Sequence, residues 1–291
     1  MQQFKPDKII AGKRNRSGRA YSTGLYDPSF EHDSCGVGFI AHLDGESRHA
    51  IVSEGLQVLK NLQHRGAVGG DAKTGDGAGI MIQIPDAFFK RQVKTFELPE
   101  TGTYAVGMLF LPKDTPSAEK CKQAVTETTA SQGFSLLGWR DVPVNSAILG
   151  ELAESTEPDI FQFFITPNEF DAENFQRRLY VLRRRIEQAV ENIDQDLSQF
   201  YICSLSHTVV VYKGLLTGDQ VPDYFPDLTN EYFTSPYAIV HSRFSTNTLP
   251  EWRLAQPFRY LAHNGEINTI RGNINRQRAR EGFMSSKLIG R

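Results

Sequence analysis

Cys35 is the first side chain with chemistry to offer. A thiolate is an intrinsically strong nucleophile, and this cysteine is followed by Gly36 and Gly38 at the start of an apolar run. Glycines in such a place let another backbone or a ligand come close, although a small cysteine buried in a core has the same local sequence. A second polar set is His241-Ser242-Arg243-Phe244-Ser245-Thr246. There Arg243 carries the fork of donors that fits a carboxylate, and Thr246 can add another; a surface salt bridge is the plainer role for Arg243. A third set is His263-Asn264-Gly265-Glu266. An Asn side-chain amide beside a Gly backbone N–H is the equipment that holds an oxyanion, and Asn-Gly is equally a strong turn dipeptide. Residues 66–79 hold six glycines in fourteen positions. The stretch lacks both G-x-x-x-x-G-K-[ST] and a strand-borne G-x-G-x-x-G, so it reads as a turn ahead of a strand rather than a phosphate cradle, with Asp76 a turn or N-cap residue. His207 and His241 are candidate bases, but neither has metal-ligand spacing, and no metal site is expected.

Elements must hold these groups. Residues 35–42 read as a buried strand, followed by an Asp44-Gly45 turn. Over 48–63, Ile51, Val52, Leu56, Val58, Leu59 and Leu62 recur at helical spacing and predict an amphipathic helix. Strands are expected at 80–84, 103–111, 136–140 and 161–166, with a helix at 116–132. The best helix spans 172–192, with Leu179, Leu182, Ile186 and Val190 on one face. Its Arg177, Arg178, Arg183, Arg184 and Arg185, accompanied by Glu173, Glu187 and Glu191, read as a solvated face or a partner surface. Residues 201–205 and 208–212 read as a strand pair around Ser206-His207, and 237–241 and 259–262 as further strands. The tail 272–291 is polar and shows no cap or stop signal. Strands and helices do not alternate as in a doubly wound sheet; mixed sheets with helices packed outside fit better.

Composition narrows the class. The 291 residues are 40% hydrophobic and 23% charged, which sets aside disordered, collagen-like and coiled-coil readings and leaves one large domain or two small ones. A net charge of -2 gives no footprint for nucleic acid, and no apolar run nears the ~20 residues of a membrane span. Cys35, Cys121 and Cys203 are too few and too widely spaced for a disulfide framework or a four-cysteine cluster, and they fit a reducing compartment. One asymmetry survives: residues 1–34 carry +2 and the remaining 257 carry -4. This basic leader has no apolar core of a secretory signal.

Three blocks taken together say more. They are His32-Asp33-Ser34-Cys35-Gly36-Val37-Gly38-Phe39, then Leu62-Gln63-His64-Arg65-Gly66-Ala67 running into 71–79, then His241 to Thr246 followed by Ala262-His263-Asn264-Gly265-Glu266-Ile267-Asn268-Thr269. In this order and at these distances they resemble the N-terminal region of glutamate synthase large subunits, a class II glutamine amidotransferase domain of the N-terminal-nucleophile (Ntn) type. The resemblance implies an α+β fold, the Ntn-hydrolase αββα four-layer sandwich with two largely antiparallel sheets. It makes residues 1–34 a propeptide or leader and 35–291 the amidotransferase domain, with 95–235 as the family's elaboration.

The roles it implies agree with the local chemistry. Cleavage between Ser34 and Cys35 would make Cys35 the new N-terminus, whose α-amine, of ordinary pKa about 7.7–8.0, can act as base near neutral pH. Within an uncut chain that nitrogen is an amide, so cleavage must precede activity. Cys35 would attack the glutamine side-chain amide, Asn264 and Gly265 would hold the oxyanion, Arg243 with Thr246 would bind the α-carboxylate, and Arg65 would order the nucleophile's surroundings. The family's acid for the glutamine α-amine lies in a later motif with no match before Arg291, so the domain is expected to be incomplete at its C-terminal end.

The implied activity is the glutaminase part of glutamate synthase. L-Glutamine gives glutamate and ammonia, and the ammonia passes to a synthase region that aminates 2-oxoglutarate. No cofactor is expected in this segment. FMN, an iron–sulfur cluster and NADPH or ferredoxin as electron donor would belong to the synthase region or to a partner such as a small flavoprotein subunit. Neither nucleic acid nor membrane is an expected partner. The expected location is the cytoplasm, with the plastid as alternative. Rival readings are another class II amidotransferase, serving asparagine or aminosugar synthesis, and a truncated non-catalytic module that binds glutamine or regulates. In the former the cysteine usually follows the initiator Met, so the 34-residue leader argues against it.

Overall fold

The structure, a computed structural model, describes residues 36–63, 66, 68, 71, 73–193, 199–242, 249–263 and 270–286. Contacts divide the chain into Met1–Cys35 and Gly36–Arg291, and every described residue belongs to the second unit. Its elements are β1 (Val37–Ala41), α1 (His49–Asn61), β2 (Ala78–Gln83), α2 (Asp86–Gln92), β3 (Ala105–Leu111), α3 (Thr115–Ser131), β4 (Phe134–Asp141), α4 (Glu151–Ser155), β5 (Asp159–Pro167), α5 (Phe175–Glu191), β6 (Tyr201–Ser206), β7 (Val209–Gly214), α6 (Gln220–Tyr224), β8 (Tyr237–Ser242) and α7 (Ile270–Glu281). The strands form two four-stranded sheets, β1-β8-β2-β7 and β4-β5-β3-β6, and every strand pairing is antiparallel.

The sequence of β3, Ala-Val-Gly-Met-Leu-Phe-Leu, is buried along its whole length. A strand reads as a continuous apolar run when both its faces are covered. Val106, Met108 and Phe110 enter a core shared with Ile80, Ile82, Tyr212 and Val240 of the first sheet and Val52, Leu56 and Leu59 of α1. Ala105, Leu109 and Leu111 lie instead with α3 and α5. Helix α3 starts where Asp114 accepts the Ser117 N–H at 2.9 Å, a cap that satisfies one of the donors left free at a helix start. Helix α5 buries Leu179, Leu182, Ile186 and Val190, the predicted stripe. Among its arginines, Arg183 and Arg184 pair with Glu187, and Arg178 donates to the Glu169 and Gly133 carbonyls. The result is the α+β two-sheet sandwich that the resemblance implies.

Three expectations change. Residues 201–205 and 208–212 are not partners, because β6 and β7 lie in different sheets. Between them Ser206 Oγ accepts the N–H groups of Thr208 and Val209, at 3.0 and 3.3 Å, closing a tight bend that carries the chain from one sheet to the other. Residues 259–262 form no strand. Phe258 and Leu261 exchange both backbone hydrogen bonds, at 2.7 and 2.6 Å, around a two-residue turn. The polar tail contains α7, a helix with no buried residue, which periodicity cannot detect because it has no apolar stripe. Among the described residues no helix is long and apolar enough to cross a membrane.

Candidate active site

Strands β1 and β8 are antiparallel, so the start of β1 meets the end of β8. Val37 lies opposite His241, and one step further the Ser242 N–H donates to the Gly36 carbonyl at 2.8 Å. His241 also lies opposite Gly79 of β2, and Gly79 opposite Lys213 of β7. Val37, His241, Gly79 and Lys213 therefore form one row across the sheet, on one face. The close approach expected at the glycines is real at Gly38, where a Cβ would stand 2.5 Å from Val58 Cγ1 of α1. His207, by contrast, follows Ser206 just before β7, where Gln83 pairs with Val209, whereas Ser242 sits at the Ala78–Gly214 end. A six-residue strand separates the two ends by about 17–20 Å. His207 stacks on Phe175 with ring centroids 4.8 Å apart and bonds Gln176 Oε1 at 3.0 Å. Burial lowers its pKa. It is a packing histidine, remote from the end of β8.

From Asp71 to Thr74 the glycine-rich stretch is closed by the bonds of its described residues. Asp71 accepts from the Lys73 N–H, the Thr74 N–H, the Thr74 hydroxyl and the Leu152 N–H, at 2.9, 2.7, 2.6 and 3.1 Å. These bonds, that from the Thr74 hydroxyl foremost, hold its carboxyl down at about 2 and tie the loop to the start of α4. A Cβ on Gly75 would stand 2.2 Å from the Leu216 carbonyl carbon, so only glycine lets the two backbones touch. Asp76 is buried in the bend before β2. Gly66 lies next to Ser242, whose Oγ would be 3.5 Å from a Cβ on that glycine.

A strap, residues 253–263, is bonded to the row. Lys213 Nζ donates to the Arg253 and Ala255 carbonyls at 2.9 and 2.7 Å and lies 4.7 Å from the ring centroids of both Tyr201 and Phe258. The Gln256 carbonyl stands 2.7 Å from where a Cβ on Gly79 would be. The Gln256 side chain pairs with the backbone of His263, donating to its carbonyl and accepting its N–H, each at 3.1 Å. His241 Nε2 bonds the same carbonyl at 2.8 Å, so this candidate base tethers the strap. Burial pushes the Lys213 ammonium down to about 7, with Cys203 opposing the fall and Arg259 adding to it.

Ser34, Cys35, Arg65, Arg243, Thr246, Asn264 and Gly265 all lie outside the described residues. Their chain neighbours do not. Gly36 follows Cys35, Gly66 follows Arg65, Ser242 precedes Arg243 and His263 precedes Asn264. These neighbours gather on one dipeptide: Gly36 and Gly66 at Ser242, and His263 at His241. Sequence reasoning missed Lys213 and Gln256. The signal for Lys213 was a single lysine after Val209-Val210-Val211-Tyr212, in a strand buried throughout; Gln256 left none.

Residues 35–291 match the family of class-II glutamine amidotransferases, and the chain belongs to that family. Over 278 residues it is 49% identical to a glutamate synthase (NADH) of Saccharomyces cerevisiae, covering 90% of this chain and 13% of that protein. Over 271 residues it is 48% identical to a glutamate synthase (NADPH) large chain of Bacillus subtilis, covering 92% and 18%. Over 270 residues it is 43% identical to a chloroplastic ferredoxin-dependent glutamate synthase of Spinacia oleracea, covering 91% and 16%. The chain thus spans less than a fifth of each of these relatives. Cys121 on α3 and Cys203 on β6 are buried, and burial pushes their thiols up to about 11 and 12.

Proposed function

We propose that this chain is the glutaminase region of a glutamate synthase, hydrolysing L-glutamine so that the ammonia reaches a synthase region that aminates 2-oxoglutarate. The observation that carries the reading is the gathering of Gly36, Gly66 and His263 on His241-Ser242. The residues joined to these by one peptide bond are the nucleophile Cys35, the supporting Arg65, the oxyanion donor Asn264 and the carboxylate-binding Arg243. The family match beginning at Cys35 supports residues 1–34 as a leader, cut between Ser34 and Cys35.

In this mechanism the freed α-amine of Cys35 takes the thiol proton, and the thiolate adds to the side-chain carbonyl carbon of glutamine. The Asn264 amide and the Gly265 N–H hold the negative oxygen. The amine returns its proton to the leaving nitrogen, the C–N bond breaks, and ammonia departs from a glutamyl thioester. Water, deprotonated by the same amine, then cleaves the thioester to glutamate and the thiol. Arg243 and Thr246 hold the α-carboxylate, and Arg65 orders the nucleophile's surroundings. The relatives' names give NADH, NADPH and ferredoxin. The electron donor, FMN and the iron–sulfur cluster are assigned to the synthase region or to a partner such as a small flavoprotein subunit, and the enzyme to the cytoplasm, with the plastid as alternative.

Glutaminase assays on the native enzyme test this. Cys35→Ala is expected to abolish glutamine hydrolysis, and Asn264→Ala to lower kcat by about 10²–10³ with KM nearly unchanged. Hydrolysis that persists in Cys35→Ala overturns the reading.

A further inference from the structure

We propose that Lys213 is a positioning residue for this hydrolysis: its two bonds to the strap 253–263, acting with Gln256 and His241, set where the backbone enters Asn264-Gly265. The inference rests on the function proposed above. A lysine is an expensive choice in a closed strand, because burying an ammonium is costly unless it is well compensated. Lys213 is 1% exposed, and the partners it finds are the carbonyls of Arg253 and Ala255 and the faces of Tyr201 and Phe258. A methionine would fill similar space without that cost, so stability alone does not call for an amine here.

What the amine does is hold a non-regular segment still. Apart from the single 3-10 turn at Trp252–Leu254 and the Phe258–Leu261 bridge, the strap has neither α-helix nor sheet ladder to fix it. Lys213 grips it at 253 and 255, Gly79 lets the Gln256 carbonyl close onto the sheet, and Gln256 and His241 grip it at His263. Arg259 adds a tie from the middle turn to Glu187 and to the Ile202 carbonyl, at 3.2 and 2.9 Å. His263 is the last described residue before Asn264. Without Lys213 the Arg253 and Ala255 carbonyls lose a buried donor, and the strap must move to satisfy them. Oxyanion donors act on charge that exists only in the transition state, and a shift of about 1 Å can cost on the order of a hundredfold. The loss should therefore fall on kcat and spare KM, which reports glutamine binding by Arg243 and Thr246.

The test uses the native enzyme with Lys213→Met, Gln256→Met and the pair, assayed for glutamine hydrolysis. Each single variant is expected to lower kcat by about tenfold or more with KM changed less than about threefold, and the pair to lose little beyond the worse single, because both act through one strap. A folded Lys213→Met with kcat within about twofold of wild type, or with its loss in KM, overturns the proposal. If Lys213→Met does not fold, Gln256→Met decides on the same criterion, and full kcat there overturns it. Failure of the underlying reading is seen separately, as hydrolysis that survives Cys35→Ala whatever the Lys213 variants do.

Discussion

Lys213 has an ordinary lysine pKa in the unfolded chain, about 10.4, and one of about 7 in the fold, where burial dominates over the opposing Cys203 and the assisting Arg259. Between these values the unfolded chain holds a proton that the folded chain lacks, so stability rises with pH from about 7 to about 10. Below about pH 7 both states are protonated and the penalty is constant. Lys213→Met should flatten that rise: urea denaturation at about pH 7 and about pH 9.5 should show a smaller gain than in wild type, and equal gains would contradict the assignment. The two kinds of site residue differ in how legible they are. Cys35, Arg243 and Asn264-Gly265 are singled out only by the resemblance of the ordered blocks that carry them, since taken locally each also reads as a core cysteine, a surface salt bridge or a turn. Lys213 and Gln256 act on backbone carbonyls, and Lys213 meets its partners 40 and 42 residues along the chain, where no local spacing points.

Among the elements, β3 illustrates how a fully buried strand constrains its sequence. A Cβ on Gly107 would lie 1.8 Å from the ring of Phe163, and that ring is itself wholly buried against Trp139 and the α3–α5 core. Gly107→Ala is expected to destabilise the fold by about 1–3 kcal/mol through overpacking, measured by denaturant unfolding. A stability equal to wild type would mean the ring can move aside. Strong apolar patterns made β1, α1, β3 and α5 readable from sequence within a few residues, but β1 is half-buried to exposed rather than buried, with Phe39 turned to the surface. The sheet membership of β6 and β7 was not readable, since two adjacent apolar runs look alike whether they pair or part at a bend. Residues 259–262 read as a strand, whereas Phe258 and Leu261 close a turn there through their own backbone bonds. Helices α2, α4 and α6, of seven, five and five residues, are too short to show a period.

At the scale of the molecule, one buried polar network joins the sheets. Arg140 of β4 donates to Asp227 through both terminal nitrogens, at 2.8 and 2.7 Å, and to Gln162 of β5 at 2.9 Å. Tyr212 of the first sheet donates to Asp227 at 2.8 Å and accepts from Gln162 at 2.9 Å. The ion pair is nearly closed to solvent, its side chains 10% and 4% exposed. Removing one partner leaves an uncompensated charge, so Arg140→Met is expected to cost about 3–5 kcal/mol, and adding Asp227→Asn to recover part of that. A loss under about 1 kcal/mol in denaturant unfolding would contradict this. The proposed chemistry requires the start of β1 and the end of β8 to stay together, and their own ladder and the Ser242 N–H on the Gly36 carbonyl hold them there. That chemistry turns on one bond, between Ser34 and Cys35. The most direct measurement is mass spectrometry of the active enzyme after treatment with 6-diazo-5-oxonorleucine, a glutamine-like electrophile. The expected result is a chain that begins at Cys35 and carries the adduct on that residue. Full glutaminase activity with Met1 still attached, or inactivation with the adduct on another residue, would contradict it.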